Sequence, residues 1–330
     1  MGEEQAPSGP RHVSVLADAA VAWLVRRRDG RYVDATLGDG GHAERICRAL
    51  EPGGMLLGID RDPAAHEVAR KRLRPWGDRL IQRQAAFGRL GELLDGIGWQ
   101  EVSGVLFDLG VSSSQLDVPE RGFSYRFSAP LDMRMGPDAT FSARDVVNDW
   151  PEEDLVRVLR EYGEEPAARA IARDICRARA AGAIERTDEL ARIIGRRGRG
   201  RPEKTLARVY QAIRIVVNRE FEELEGGLAG ALAHLEPGGR IVVIAYHSLE
   251  DRIVKRWMQE EARGCICPPD FPICRCGHHP RLRLLTKHVI TPGPEEVAAN
   301  PRARSARMRV AERLSEPLGP EVAGPAGDPA

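Results

Sequence analysis

Tyr32-Val33-Asp34-Ala35-Thr36-Leu37-Gly38-Asp39-Gly40-Gly41-His42 reads as a buried strand that ends on an acid, turns sharply on glycines and opens a helix over residues 43–50. Glycine is needed where the backbone takes a positive φ or passes close to a ligand. A helix N-terminus behind such a turn offers N–H groups to an electron-rich partner. The next apolar run, Met55-Leu56-Leu57-Gly58-Ile59-Asp60, is a second strand closing on a carboxylate. That acid follows the glycines at about the twenty-residue spacing at which a nucleotide-fold acid bonds a ribose diol.

The acids beside the glycines bear on which nucleoside cofactor fits. A dinucleotide lays its pyrophosphate over the turn, where Asp34 and Asp39 would repel it. A cofactor with a cationic part, such as the amino group and sulfonium of S-adenosylmethionine, suits them. The residues favour a methyl donor over NAD; a plain strand–turn–helix corner is the alternative without a ligand.

Outward from the turn, residues 17–25 form an amphipathic helix, Asp62-Pro63 starts a helix over 64–73, and strands are expected at 79–84 and 103–108. Strand and helix in alternation signal an α/β fold with a parallel sheet, its ligands at the carboxyl ends of the strands. Phe87, just after the third strand, either covers an adenine or packs in the core. Asp108 closes the fourth strand on the same edge, ahead of a turn through Gln115; helix capping is the bland alternative for such a polar turn.

The alternation then breaks. Residues 110–150 read as loop and 152–221 as helices, which makes an inserted domain. The sheet resumes with a helix at 222–235, the turn Pro237-Gly238-Gly239 and an apolar strand at 240–246, with shorter strands at 282–288 and 306–312. The expected division is a sheet domain over 12–112 and 220–313, an insert over 113–219, and disordered ends at 1–11 and 314–330. His247, at the end of the fifth strand, can serve as a base, an orienting partner or a cap.

The 330 residues balance 49 Lys and Arg against 49 Asp and Glu, so overall charge selects no partner. Its distribution does: from Arg169 to Arg219 there are fourteen Lys and Arg against five Asp and Glu. Within that span Arg196, Arg197, Arg199 and Arg201 alternate with glycine, and Arg208 and Arg214 follow, a pattern suited to a phosphate backbone as well as to a solvated face. No apolar run spans a bilayer and no signal-peptide core opens the chain, so a cytoplasmic protein without a membrane partner is expected. Cys265, Cys267, Cys274 and Cys276 lack the two-residue spacing of zinc hooks, leaving zinc or simple reduced thiols open.

Asp34-x-Thr36-x-Gly38-x-Gly40-Gly41-His42, Asp108-Leu109-Gly110-Val111-Ser112-Ser113-x-Gln115, Arg121-Gly122-Phe123-Ser124 and Pro130-Leu131-Asp132-Met133-Arg134-Met135 together carry a resemblance. So do Tyr162-Gly163-Glu164-Glu165, Gln211-Ala212-Ile213-Arg214-Ile215-x-Val217-Asn218, His247-Ser248-Leu249-Glu250-Asp251-Arg252 and Asn300-Pro301-Arg302-Ala303-Arg304-Ser305-Ala306. The chain resembles the ribosomal RNA small-subunit methyltransferase H family from about His12 to Arg313. The resemblance implies a Rossmann-like class I S-adenosylmethionine-dependent methyltransferase sheet with an inserted helical domain. It implies N4-methylation of a cytosine in the decoding centre of 16S ribosomal RNA, within the small ribosomal subunit. It also implies cofactor contacts at Gly40, Gly41, His42, Asp60, Phe87, Asp108 and Gln115, joining Asp34 and Gly38 of the turn. Asp108, Asp132, His247 and Asn218 are the candidates for handling the base. The chain departs from the family in having Lys204-Thr205-Leu206-Ala207-Arg208 where His-Pro-Ala-Thr-Arg is common, and Ala245-Tyr246 where Ser-Phe is common.

Overall fold

The structure is a computed structural model that describes residues 14–197, 202–264, 267, 271, 275–277 and 279–315. The expected disordered residues 1–11, all but two of those at 314–330, Arg199, Arg201, Cys265 and Cys274 lie outside the described residues.

The first half follows the alternation: α1 (Ala17–Leu24), β1 (Arg31–Asp34), α2 (Gly41–Ala49), β2 (Met55–Asp60), α3 (Pro63–Leu73), β3 (Leu80–Gln84), α4 (Leu90–Gly96) and β4 (Val102–Asp108). Asp62 caps α3, accepting the Ala64 N–H at 3.1 Å, with Pro63 in the first turn. Then come α5 (Ser113–Asp117), α6 (Ala143–Asp149), α7 (Glu152–Glu161), α8 (Ala168–Ala181), α9 (Thr187–Gly195), α10 (Pro202–Asn218) and α11 (Glu220–His234). The chain closes with β5 (Leu235–Ala245), α12 (Ser248–Glu261), β6 (Leu282–Leu284), α13 (Pro294–Ala299) and β7 (Arg307–Arg313).

The seven strands lie in the order β3-β2-β1-β4-β5-β7-β6. The first five are parallel, and β7 runs antiparallel to β5 and β6. Val33 stands opposite Leu57 on one side and Val105 on the other. β4 is buried along nearly its whole length, as expected of a central strand covered on both faces. The period of two splits its side chains: Val105 and Phe107 pack with Leu90, Leu94, Leu228 and Leu232, while Leu106 packs with Leu24, Ile46 and Leu73. The chain leaves β1 toward β2 on one side and β4 on the other, so the carboxyl ends of β1 and β4 flank a switch point, where open α/β sheets bind ligands.

A separate core joins α6 to α10 with the preceding loop. Leu155, Ile171, Ile194 and Ile213 are buried there together with Phe123, Leu131 and Met133. In the sheet, β5 already begins at Leu235 and runs through the turn expected at Pro237-Gly238-Gly239, and β6 ends at Leu284 short of the expected His288. In the insert two boundaries differ from the periodicity. α6 forms inside the segment read as loop, started by Ser142, whose side chain and that of Asp145 cap each other's backbone N–H groups. The long helical run breaks at Arg219, whose φ of 52° turns α10 into α11, so the sheet's covering helix starts at Glu220. Among the described residues no helix is long and apolar enough to cross a membrane.

Candidate active site

The carboxyl ends of β1, β2, β4 and β5 open onto a cavity of about 400 Å³. Its floor is the glycine turn. Gly38 takes φ 49° and Gly40 φ 80°, conformations that penalise any residue with a Cβ. The turn is tied to β2 by Asp60, whose Oδ2 accepts the Gly38 N–H at 2.8 Å and whose Oδ1 accepts the Asp62 N–H at 2.9 Å. Burial raises the Asp60 carboxyl above its ordinary range, against the pull of those two N–H groups. Asp39 lines the cavity and accepts the Ser114 hydroxyl at 2.7 Å.

Asp108 is held at its backbone and at both carboxylate oxygens. Its backbone N–H donates to Thr36 Oγ1 at 2.7 Å, and Oδ1 accepts the Tyr246 hydroxyl at 2.8 Å. Oδ2 lies 3.4 Å from Nδ1 of buried His42, whose Nε2–H donates to the Val15 carbonyl at 3.0 Å. Burial works against a charged His42 ring, yet Asp108, Asp34 and the Val15 carbonyl outweigh it and raise its pKa. Both ring nitrogens therefore face acceptors, an arrangement that favours the protonated ring. Asp34 sits behind this pair, fully buried, with Oδ1 accepting the Thr36 N–H at 3.2 Å and Oδ2 taking no hydrogen bond among the described residues. Burial, only partly offset by His42 and the Thr36 N–H, pushes the Asp34 carboxyl up to about 6.

Of the expected cofactor residues, Gly38, Gly41, His42, Asp60, Phe87, Asp108 and Gln115 line the cavity. Asp34 and Gly40 lie behind it: Gly40 is the cap of α2, and a Cβ there would come within 3.2 Å of Leu73. Phe87 lines the cavity and also meets Phe107 edge-on at 5.8 Å. Gln115 is committed to the protein: its Oε1 accepts the Ser112 N–H and its Nε2–H donates to Asp62. Asp62 also accepts from Arg121 at 2.8 Å, so one buried carboxylate joins α3, α5 and the loop behind them.

The four candidates for handling the base separate. Asp108 and His247 line the cavity. Asp132 does not; it is doubly paired with Arg134, at 2.7 and 2.8 Å, which holds its carboxyl below the ordinary range despite partial burial. Asn218 is fully buried and fully used, accepting the Met135 N–H at 2.8 Å and donating to the carbonyls of Met133 and Arg214. His247 caps α12, its Nδ1 accepting the Glu250 N–H at 3.3 Å. Its Nε2 is 3.1 Å from Glu250 Oε1, near enough for an ion pair but off-angle for a hydrogen bond.

The arginines also separate. Arg196, Arg197 and Arg208 are exposed, Arg197 clasping Asp174 and Arg208 lying 3.6 Å from Glu165. Arg214 instead lines the cavity, bound through Nε and Nη2 to both oxygens of Glu220 at 2.7 and 2.9 Å. Among the described residues Glu220, His247 and Glu250 bring three donor atoms within 4.8 Å of one another, but the Arg214 guanidinium already supplies the positive charge there. Burial would raise the Glu250 carboxyl, and His247, Arg214 and the Tyr246 N–H lower it on balance. Sequence reasoning missed Thr36, Tyr246 and Arg302 as cavity residues. Arg302 sits in a motif carrying the resemblance and pairs with Asp117 at 2.7 Å, a signal that the segment returns to the site.

A sheet of order β3-β2-β1-β4-β5-β7-β6 with an antiparallel β7, opening at its switch point onto an acid-lined cavity, defines a Rossmann-like class I methyltransferase fold. The chain belongs to the MraW methylase family, whose model matches residues 9–314. It is similar to the ribosomal RNA small subunit methyltransferase H of Thermomicrobium roseum, 48% identical over 311 residues that cover 94% of this chain and 95% of that protein. The protein of the same name from Geobacter sulfurreducens is 50% identical over 307 residues, covering 92% and 99%. That from Heliobacterium modesticaldum is 45% identical over 311 residues, covering 92% and 98%.

Proposed function

We propose that this protein transfers a methyl group from S-adenosylmethionine to the exocyclic N4 of a cytosine in the decoding centre of 16S ribosomal RNA, in the cytoplasm, on the small ribosomal subunit. The observation that carries the reading is Asp108, an acid held by three protein contacts on the lining of an acid-bearing cavity.

The cavity suits the donor. Asp39, Asp60 and Asp108 put three carboxylates on its lining, complementary to an amino group and a sulfonium. Its lining arginines are each engaged with a carboxylate, Arg61 with Asp138, Arg214 with Glu220 and Arg302 with Asp117, which leaves little for a pyrophosphate. Asp60 is the acid for the ribose and Phe87 the cover for the adenine. When bound, the donor would supply a methyl carbon on a cationic sulfur, and the proton that the amine loses as N–H gives way to N–CH3 would pass to solvent by way of Asp108, the acceptor of that N–H.

Asp108 supplies what the acceptor lacks. The lone pair of a cytosine amine is delocalised into the ring, so the nitrogen is a poor nucleophile. A carboxylate accepting its N–H raises electron density on nitrogen and fixes the angle of approach. The base must leave its stack to reach the cavity. Residues 12–112 and 220–313 form the catalytic unit in this reading, and 113–219 recognise the RNA, with Arg196, Arg197 and Arg208 presented to phosphates.

The test is mass spectrometry of ribosomal RNA from small subunits lacking the modification, before and after incubation with the protein and isotope-labelled donor. Label on one 16S cytosine supports the proposal, and unlabelled RNA beside active control enzyme refutes it.

A further inference from the structure

Tyr246 follows β5 directly. Its ring packs against the sheet face that buries Leu106, Val242 and Met308, while its hydroxyl reaches the cavity and donates to Oδ1 of Asp108 at 2.8 Å. Nδ1 of the His42 ring stands 3.4 Å from Oδ2. The backbone of Asp108 is anchored as well, through its N–H to Thr36 Oγ1 at 2.7 Å. Each carboxylate oxygen thus has one fixed neighbour, the Tyr246 hydroxyl or the His42 ring, and rotation of the group would break both contacts at once. Each oxygen retains a second lone pair, whose direction is set by the neighbour already bound.

We propose that Tyr246 is a positioning residue, whose hydroxyl orients the Asp108 carboxylate so that an unused lone pair meets the N–H of the acceptor amine. This rests on the reading of Asp108 as that amine's partner. The phenol suits the task because burial and the neighbouring carboxylate raise its pKa, leaving it a neutral O–H donor. The charged groups facing the pair are few: His42 from α2 and Asp34 from β1 against Asp108, with Glu250 of α12 and Glu296 of α13 toward Tyr246. A phenylalanine, the aromatic common at this position in the family the sequence resembles, would keep the packing and leave Oδ1 without its donor. The substitution is therefore more than a conservative exchange of one ring for another.

The experiment is a double-mutant cycle with Tyr246→Phe and Asp108→Asn on the full-length protein, following methyl transfer to small subunits, donor affinity by calorimetry and thermal melting. Loss of a charge-assisted hydrogen bond that orients a catalytic carboxylate is expected to lower kcat about tenfold. Tyr246→Phe should lower kcat by that factor while KM for the RNA and donor affinity stay within error and the melting temperature falls by no more than a few degrees. The same change should have no effect on the residual rate of Asp108→Asn. An unchanged kcat in Tyr246→Phe, or a loss of donor binding and melting temperature large enough to account for its lower rate, overturns the positioning role. Full activity in Asp108→Asn overturns instead the reading on which that role depends.

Discussion

Nδ1 of His42 lies 3.4 Å from Oδ2 of Asp108, and the opposite nitrogen of the same ring donates to the Val15 carbonyl at 3.0 Å. A neutral imidazole satisfies only one acceptor with its single N–H; the charged ring satisfies both. The geometry thus favours a charged His42 facing the cluster of acids at the glycine turn, and its value to the fold depends on pH.

Because the folded protein raises the His42 pKa, the ring's contribution to stability is complete below its unfolded value of 6.5 and is lost as pH rises through the higher folded value. Chemical denaturation of wild type and His42→Gln across pH 6 to 9 is expected to show the largest gap at the acid end, narrowing upward. A gap that does not vary with pH contradicts the assignment of a charged ring.

Asp34 carries the same sign for a different reason. Its carboxyl, at about 6 against an ordinary 3.8, holds a proton in the folded chain that the unfolded chain releases. The stability it gives is complete below 3.8 and falls as pH rises through about 6, by about 3 kcal/mol. Asp34→Asn removes that loss, so its stability measured against wild type should improve between pH 4 and 6 and stay ahead at pH 8. Parallel curves would show that the acid is not held protonated.

Asn218 is expected to behave as a structural staple. Its side chain satisfies Met135 N–H and the carbonyls of Met133 and Arg214, and Met133 holds a φ of 61° against its own preference. Asn218→Ala leaves these groups unpaired and should cost about 3 kcal/mol in urea denaturation. A variant as stable as wild type but without activity would return Asn218 to the chemistry.

The sequence made the sheet legible because each of β1, β2 and β4 is an apolar run that stops at an acid, Asp34, Asp60 or Asp108. α6 was hidden among Gly, Ser and Pro, although Ser142 and Asp145 spell its cap three residues apart. The site was readable only where a residue's part follows from its strand end. Asp132 and Asn218 look like polar candidates in sequence, and only their partners reveal an ion pair and a staple. Arg214 reads as one more basic residue because the turn at Arg219 that brings Glu220 back to it leaves no pattern. The partner of Tyr246 lies 138 residues away, beyond any local rule.

Arg196, Arg197 and Arg208 sit apart from the cavity on the exposed side of the insert. Replacing all three by alanine should weaken binding to small-subunit RNA and reduce the slope of log affinity against log salt by about two, the loss of three phosphate contacts to single-stranded RNA. Calorimetry with S-adenosylmethionine should give wild-type affinity. An unchanged salt slope places the RNA elsewhere.

The most direct test of the account compares wild type and Asp108→Asn in single turnover with donor-saturated protein and small subunits, the methylated nucleoside being identified by mass spectrometry. The account predicts N4-methylcytidine from wild type and a rate at least about 100-fold lower from the donor-saturated variant. Methyl on a ring carbon or a ribose oxygen, or a variant that turns over at the wild-type rate, would contradict it.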